Sequence, residues 1–457
     1  MNNIKNQRVQ LTFNPYLAKE ESEHYLLFNR QNTTTLKISK PMFALLEAAR
    51  SANGVIDQSM FTKHARHLSI LKRFRFIDFS LPPIEQINIS DVTKNLIFNP
   101  SGRLSLTSNT APINVIWAIT GACNLKCLYC FPECSGNYRQ VSSVSDEMVF
   151  KIAKNIVDAK VLFVRISGGE ALLRRNLFEI IDYFIANNIE VTMVSNGTLI
   201  TPQIAKQIAS RDIRMGVSVD SCNEDINALT RGKGVLARAS EGIRNLVCAG
   251  VKINLTTVLT KHNIHHVEEL AQFSDSMRTA GITFQELVPF GNPDIYLNSK
   301  PSLQEENEFH LRTIPKLRSL YPHLNFSDGE LFSYCFETRP EREYKVMECQ
   351  AGSRFAYIDS SGNFYPCTSL AYEPFWMGDV TTHSIAELWA TSTARKELRS
   401  LCEKAVTKLK GCGNCDYSKR CAGGCRGEAY FMSKDVLGQT ARCYEVTKSI
   451  LAEVASR

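Results

Sequence analysis

The chain has 457 residues, 44% hydrophobic and 22% charged, an ordinary composition for a soluble globular protein of about two to four domains. No apolar run is long enough to span a bilayer, and Met1-Asn2-Asn3-Ile4-Lys5 opens no apolar signal core, so neither a membrane protein nor an exported one is expected. The net charge of +7 is spread out, without the basic and aromatic patch that would favour nucleic acid.

Residues 1–82 form a first block. Val9 to Phe13, His24 to Arg30 and Thr34 to Ser39 read as three short strands. Pro41 to Ala52 reads as a helix capped by Ser39 with Pro41 in its first turn, and Gln58 to Leu71 as a second helical stretch. Strands followed by small helices resemble the winged-helix precursor-peptide recognition element of peptide maturases. The resemblance implies a leader peptide that adds a strand to an exposed sheet edge. Read from the residues alone, the block is equally a structural extension. Residues 83–111, after Pro82-Pro83 and around Pro100-Ser101-Gly102, read as a linker.

Residues 112–325 alternate strands with helices. The strands are Ile113–Thr120, Val161–Ser167, Ile189–Asn196, Ile213–Asp220, Val251–Leu259 and Ile282–Phe290; the helices include Asp146–Asp158, Leu177–Asn187, Leu236–Ala249 and Val267–Ala280. Such alternation predicts an α/β fold with a parallel sheet. The first strand runs into Cys123, Cys127 and Cys130, a C-x3-C-x2-C loop. Fifteen cysteines without an export signal favour metal binding in a reducing cytoplasm over disulfides. Three close thiolates can hold three irons of a [4Fe–4S] cube and leave the fourth open to a chelating molecule. Zinc, with Cys134 as a fourth ligand, is the competing reading of the loop taken alone.

The loop, with aromatic Tyr129 before its last cysteine, resembles that of the radical S-adenosylmethionine (SAM) family. The resemblance implies a partial (β/α)6 barrel with its chemistry at the C-terminal strand ends. There the open iron takes SAM, whose cleavage gives a 5′-deoxyadenosyl radical. Gly168-Gly169-Glu170 ends the second strand, where the family holds the SAM amino group. Ser195-Asn196-Gly197 and Ser218-Val219-Asp220 end the third and fourth, resembling contacts to the ribose or methionine part; Asn-Gly turn chemistry is the alternative. Arg231 is a contact to the SAM carboxylate or a loop anchor. Pro289, Gly291 and Tyr129 are expected around the adenine.

Residues 335–457 carry Cys349, Cys367, Cys412, Cys415, Cys421, Cys425 and Cys443, spaced C-x12-G-x4-C, C-x2-C-x5-C-x3-C and a final C. The glycine, Gly362 in Asp359-Ser360-Ser361-Gly362-Asn363, marks a hairpin turn. The block resembles the SPASM domain, which implies two auxiliary [4Fe–4S] clusters. Cys412, Cys415, Cys421 and Cys443 would hold the outer one, and Cys349, Cys367 and Cys425 the inner one. The SAM-binding cluster and two fully ligated cubes need eleven thiolates, and the motifs give ten, so Cys335 is the expected eleventh. Failing Cys335, the inner cluster keeps an open iron for a substrate thiolate. Cys134, Cys222, Cys248 and Cys402 fall outside the motifs.

Extra clusters favour an oxidative outcome, because a substrate radical that closes onto a second group must lose an electron. The whole order resembles the sactipeptide maturases of the subtilosin type. Sulfatase-maturing enzymes carry an aspartate where this chain has Thr368. The expectation is a thioether crosslink from a cysteine sulfur to carbon in a ribosomally made precursor peptide. Carbon–carbon or carbon–oxygen crosslinking, or another radical oxidation, is the alternative, and an Fe–S or zinc scaffold the non-enzymatic one. Expected partners are the precursor peptide, through its leader, and a reductant such as flavodoxin or ferredoxin. No general base is assigned; Asp220, Glu286 and Asp359 have better structural explanations.

Overall fold

The computed structural model describes residues 8–13, 16–20, 24–29, 35–57, 60, 64, 68, 71–72, 75–78, 109–130, 144–287, 293–327, 349–409, 423–438 and 440. The chain folds as two units, Met1–Thr110 and Ala111–Arg457.

In the first unit β1 (Arg8–Gln10) pairs with β6 (Val55–Asp57), and β2 (Thr12–Phe13) with β7 (Ile77–Asp78). β3 (Tyr16–Glu20), β4 (His24–Asn29) and β5 (Thr35–Ser39) form an antiparallel sheet. Helix α1 (Lys40–Ser51) starts where expected: the Ser39 hydroxyl accepts from the Met42 amide at 3.4 Å, and Pro41 needs no amide partner in the first turn. Its buried face, Met42, Leu46 and Ala49, packs with Leu27 and Leu36 of the sheet. Strand β3 is an addition to the three strands expected: its apolar start, Tyr16-Leu17-Ala18, is cut short by Lys19 and Glu20. Of the helical stretch expected over 58–71, only scattered positions lie within the described residues.

The second unit is built on one ten-stranded sheet. Its parallel strands are β8 (Asn114–Ala118), β9 (Phe163–Ser167), β10 (Glu190–Ser195), β11 (Arg214–Ser218), β12 (Ile253–Leu259), β13 (Gly281–Glu286) and β14 (Asn325–Ser327), paired in that order. The joining helices are α2 (Asp146–Asp158), α3 (Leu177–Ala186), α4 (Pro202–Ala209), α5 (Glu224–Arg231), α6 (Val235–Cys248) and α7 (Val267–Ser276). After β13 come α8 (Pro293–Ser299), α9 (Leu303–Glu308) and α10 (Ile314–Leu320). Sequence periodicity places these helices because each has one apolar stripe: Val149, Ile152, Ala153 and Ile156 of α2 are buried. The short β14 is an addition to the six strands expected.

The C-terminal block joins the same sheet. β15 (Phe355–Ile358) lies parallel to β8, with Phe355 opposite Asn114 and Ile358 opposite Trp117. β16 (Asn363–Tyr365) and β17 (Gly378–Asp379) follow antiparallel. This covers an apolar edge that β8 would otherwise expose. The α2 side chain of Asn155 fixes the join. It donates to the carbonyls of Val380 (3.0 Å) and His383 (2.7 Å) and accepts from the Ile385 amide at 2.8 Å. Helices α11 (Ile385–Thr391), α12 (Thr393–Lys408) and α13 (Arg426–Ser433) complete the described chain. Among the described residues no helix is long and apolar enough to cross a membrane.

Candidate functional site

The C-terminal ends of the parallel strands meet the cysteine loop. Gly169 donates its amide to Thr120 O and Glu170 to Ala122 O, each at 2.8 Å. A Cβ on Gly169 would stand 2.5 Å from the Ala122 carbonyl carbon, and one on Gly168, whose φ is +131°, would collide with Thr120. The paired glycines therefore admit the backbone of the cysteine loop. Leu128 N donates to Thr230 O at 2.7 Å, and Cys123 Sγ accepts from Leu125 N at 3.4 Å.

Glu170 is fully buried. Its Oε1 accepts from Ser195 Oγ (2.9 Å) and Leu172 N (3.2 Å), and its Oε2 from Asn196 N (2.8 Å). Burial pushes its pKa up, against the pull of those three donors. Asn196 reaches the loop: its Nδ2 donates to Asn124 Oδ1 at 2.9 Å, while Asn124 Nδ2 donates to Thr198 Oγ1 at 2.9 Å. Asn124 and Thr198 were not singled out from sequence, because their spacing carries no motif.

Asp220 is a second hub, 2% exposed. Its carboxylate accepts from Thr230 Oγ1 (2.6 Å), Arg231 Nη2 (2.9 Å), Val258 N (3.1 Å) and the Tyr129 hydroxyl. The Arg231 guanidinium lies 5.7 Å from the Tyr129 ring centroid. Burial opposes the charge on Arg231, but Asp220, Tyr129 and Cys127 outweigh it and the net shift is upward. Burial raises the Tyr129 phenol well above its ordinary value; Arg231 opposes this and Asp220 adds to it. Tyr129, Asp220 and Arg231, expected as cofactor contacts, are thus bonded to one another and to the loop. Ser218 is half-buried at the end of β11. Tyr357 on β15 is buried close enough to Cys130 to feel its charge, which only the long-range β8–β15 pairing brings about.

A second group of thiols lies in the C-terminal block. Cys349 precedes the β15–β16 hairpin and Cys367 follows it, so the hairpin returns both to one end. Gly362, with φ +93°, makes the turn, and Asp359 fastens it by accepting from the Ser361 and Asn363 amides at 2.9 Å. Cys425 sits at the N-terminus of α13. Gly427 lets that helix dock, since a Cβ there would stand 2.5 Å from Ser369, two residues beyond Cys367. Each sulfur faces backbone amides: Ala351 at Cys349, Ser369 and Leu370 at Cys367, Glu428 and Gly427 at Cys425. The guanidinium groups of Arg395, Arg399 and Arg426 are buried here, and they donate to backbone carbonyls such as Gly352 O (2.7 Å) and Val436 O (3.0 Å). Burial, with the neighbouring Arg399, lowers the pKa of Arg395 to about 10.

These surroundings fit an iron–sulfur cube. A thiolate-bound cube is an anion, and buried cations with amides aimed at sulfur match it. Among the described residues no three His, Cys, Asp or Glu side chains close on one point as ligands of a single ion would. A cube holds its ligating sulfurs apart, one per iron. Pro289, Gly291, Cys134, Cys335, Cys412, Cys415, Cys421 and Cys443 lie outside the described residues.

Comparison with known proteins agrees with this geometry. Residues 117–274 match the model of the Radical SAM superfamily, and residues 349–416 that of SPASM, an iron–sulfur cluster-binding domain. The mycofactocin maturase MftC of Mycobacterium tuberculosis is 26% identical over 343 residues, 73% of this chain and 83% of that protein. An AdoMet-dependent heme synthase of Methanosarcina barkeri is 26% identical over 359 residues, 74% of this chain and 98% of that one. In fold, Streptococcus suis SuiB bound to precursor peptide SuiA matches with a TM-score of 0.70 at 18% identity, covering 95% of this chain and 100% of that one.

Proposed function

The chain carries a radical SAM domain and a SPASM domain, and from that premise we propose that it modifies a ribosomally made precursor peptide by joining a cysteine sulfur to carbon. When bound, SAM and its [4Fe–4S] cluster supply a hydrogen-abstracting radical, and the auxiliary clusters of a SPASM domain supply electron acceptors. Cys123, Cys127 and Cys130 are the ligands of the first cluster in this reading. Gly168 and Gly169 seat their loop. Glu170 and Asp220 hold it from two sides, Arg231 and Tyr129 complete the Asp220 hub, and Ser195, Asn196 and Ser218 flank the SAM position. Cys349, Cys367 and Cys425 hold the inner auxiliary cluster, with Cys335 as the proposed fourth ligand. Cys412, Cys415, Cys421 and Cys443 hold the outer cluster.

The observation that carries the reading is the convergence of the cysteine loop, Glu170, Asp220 and Arg231 at one end of a sheet that also bears the SPASM hairpin. A peptide substrate is supported by the maturase relative and by a fold shared, over 95% of the chain, with a structure holding a precursor peptide. The outer strands β3 and β5 of the three-stranded N-terminal sheet are the places where a leader would add. A cytoplasmic setting and a flavodoxin or ferredoxin reductant belong to the same proposal.

The test is anaerobic reconstitution, with SAM, a strong reductant and any short cysteine-containing peptide found encoded next to the gene. About twelve irons per chain, 5′-deoxyadenosine release and a peptide lighter by two hydrogens at a cysteine are expected. An unchanged peptide with deoxyadenosine released would sink the peptide reading. The heme synthase relative, matched over 98% of its length, makes SAM-dependent heme synthesis the second reading. Heme formed from a porphyrin precursor by the reconstituted protein would select it.

A further inference from the structure

Among the described residues four thiols gather in the C-terminal block, and the seven-cysteine pattern accounts for three of them. The fourth, Cys402, lies on α12 and belongs to no motif. Its side chain hydrogen-bonds that of Cys349, and Cys349, Cys367 and Cys402 all pack against one small core of Ala351, Leu370, Phe375, Leu398 and Val436. Cys349 is also close enough to act on Cys367 and on Cys425. Cys349 is thus the common neighbour, with Cys402 against it as a fourth sulfur. Two sulfurs in hydrogen-bonding contact cannot each hold a separate iron of one cube, whose ligands point away from one another. Cys402 therefore stands behind a ligand rather than at a fourth corner.

We propose that the Cys402 thiol donates a hydrogen bond to the cluster-bound sulfur of Cys349 and thereby raises the reduction potential of the inner auxiliary cluster. The inference rests on the reading that Cys349, Cys367 and Cys425 hold that cluster. A donor to a ligating sulfur withdraws electron density from it and stabilises the reduced, more negative cluster. A sulfur bound to iron carries no proton, so Cys402 is the member of the pair that can donate. Arg399 and Arg426 act on both sulfurs and bias the cluster in the same direction. Cys402 is a positioning residue whose effect passes through Cys349.

The experiment compares the anaerobically reconstituted full-length protein with its Cys402→Ala, Cys402→Ser and Cys367→Ala variants. Iron is counted, and each cluster is followed by electron paramagnetic resonance during potentiometric titration. Cys367→Ala should lose or convert one cluster, which identifies the inner signal. Cys402→Ala should keep about twelve irons and the inner signal, but with a more negative midpoint. Cys402→Ser should recover part of the shift, since a hydroxyl also donates. An unmoved midpoint in Cys402→Ala overturns the inference and leaves the ligand assignment intact. Loss of the inner cluster from that variant also overturns it, making Cys402 a ligand. An unperturbed cluster set in Cys367→Ala would instead refute the underlying assignment.

Discussion

The cysteine loop after β8 is held by carboxylates, whereas Cys349, Cys367 and Cys425 sit among guanidinium groups. Around the loop, Glu170 and Asp220 are each supplied with at least three donors by the chain itself. Arg231 balances Asp220 at 2.9 Å. That frame is built from the chain's own groups, with Arg231 Nε in ion-pair contact but without a hydrogen bond among the described residues. In the C-terminal block, Arg395 and Arg426 are buried against carbonyl oxygens, with one guanidinium nitrogen of each left without a hydrogen bond among the described residues. A buried cation whose hydrogen bonds all go to dipoles is costly. On the proposed ligand assignment an anionic cluster would complete this second frame, whereas in the first the cation Arg231 already has a carboxylate beside it.

Two glycines offer the strongest means of breaking one frame and sparing the other. Gly169→Ala drives a methyl group into the Ala122 carbonyl, and Gly427→Ala drives one into Ser369. The first should lose about four irons and all SAM cleavage while keeping the auxiliary signals. The second should lose the inner cluster, keep the SAM-binding one, and still release deoxyadenosine without forming product. Iron counts and resonance spectra decide between these patterns. If both variants lost the same cluster, the separate frames would be a false division.

Next in size is Asp220→Ala. It leaves Arg231, 6% exposed, without its ion-pair partner and strands the donors Thr230, Val258 and Tyr129. Breaking a buried pair from one side costs about 3–5 kcal/mol. A large fall in denaturant midpoint is expected in iron-free protein as well, because all the named partners of Asp220 are groups of the protein itself. If the fall appeared only in loaded protein, the cofactor would be completing this frame too.

Much of this was legible from the chain because local chemistry and local structure coincide. The expected helix 146–158 is observed with the same ends, since Ser145 caps it and its apolar stripe is regular. The expected strand ends fall at the mouth of the sheet because polar motifs interrupt apolar runs there. What escaped is non-local. Parallel pairing of β8 with β15 leaves no mark in either strand, so Tyr357 beside Cys130 was invisible. The roles of Gly168, Gly169, Glu170 and Asp220 in holding the loop depend on which atoms are already bonded, and a motif does not record that, whereas Arg231 as a loop anchor is one of its two readings from sequence. Cys402 lacked a spacing signal for the same reason: α12 delivers it to Cys349 from more than fifty residues away.

The smallest effect concerns the acidic fringe of the cationic block. Glu306 on α9 is 6% exposed and Glu428 on α13 is 4% exposed. Burial raises Glu306 to about 7, against the pull of Lys300 and with the push of Glu428 and Glu305. A carboxyl whose folded pKa lies above its unfolded value keeps a proton that the unfolded chain gives up. Its contribution to stability therefore falls as pH rises from about 4.5 to about 7. The ceiling of that loss is about 3 kcal/mol, at roughly 1.4 kcal/mol per unit. Glu306→Gln should consequently melt higher than the parent at pH 8, by an amount that shrinks through pH 6 and vanishes near pH 4. Melting curves of matched iron content across that range give the answer. A glutamine variant that melts lower at pH 8 would mean that Glu306 is ionised and held by Lys300, so that this edge of the block is a salt bridge rather than a protonated acid.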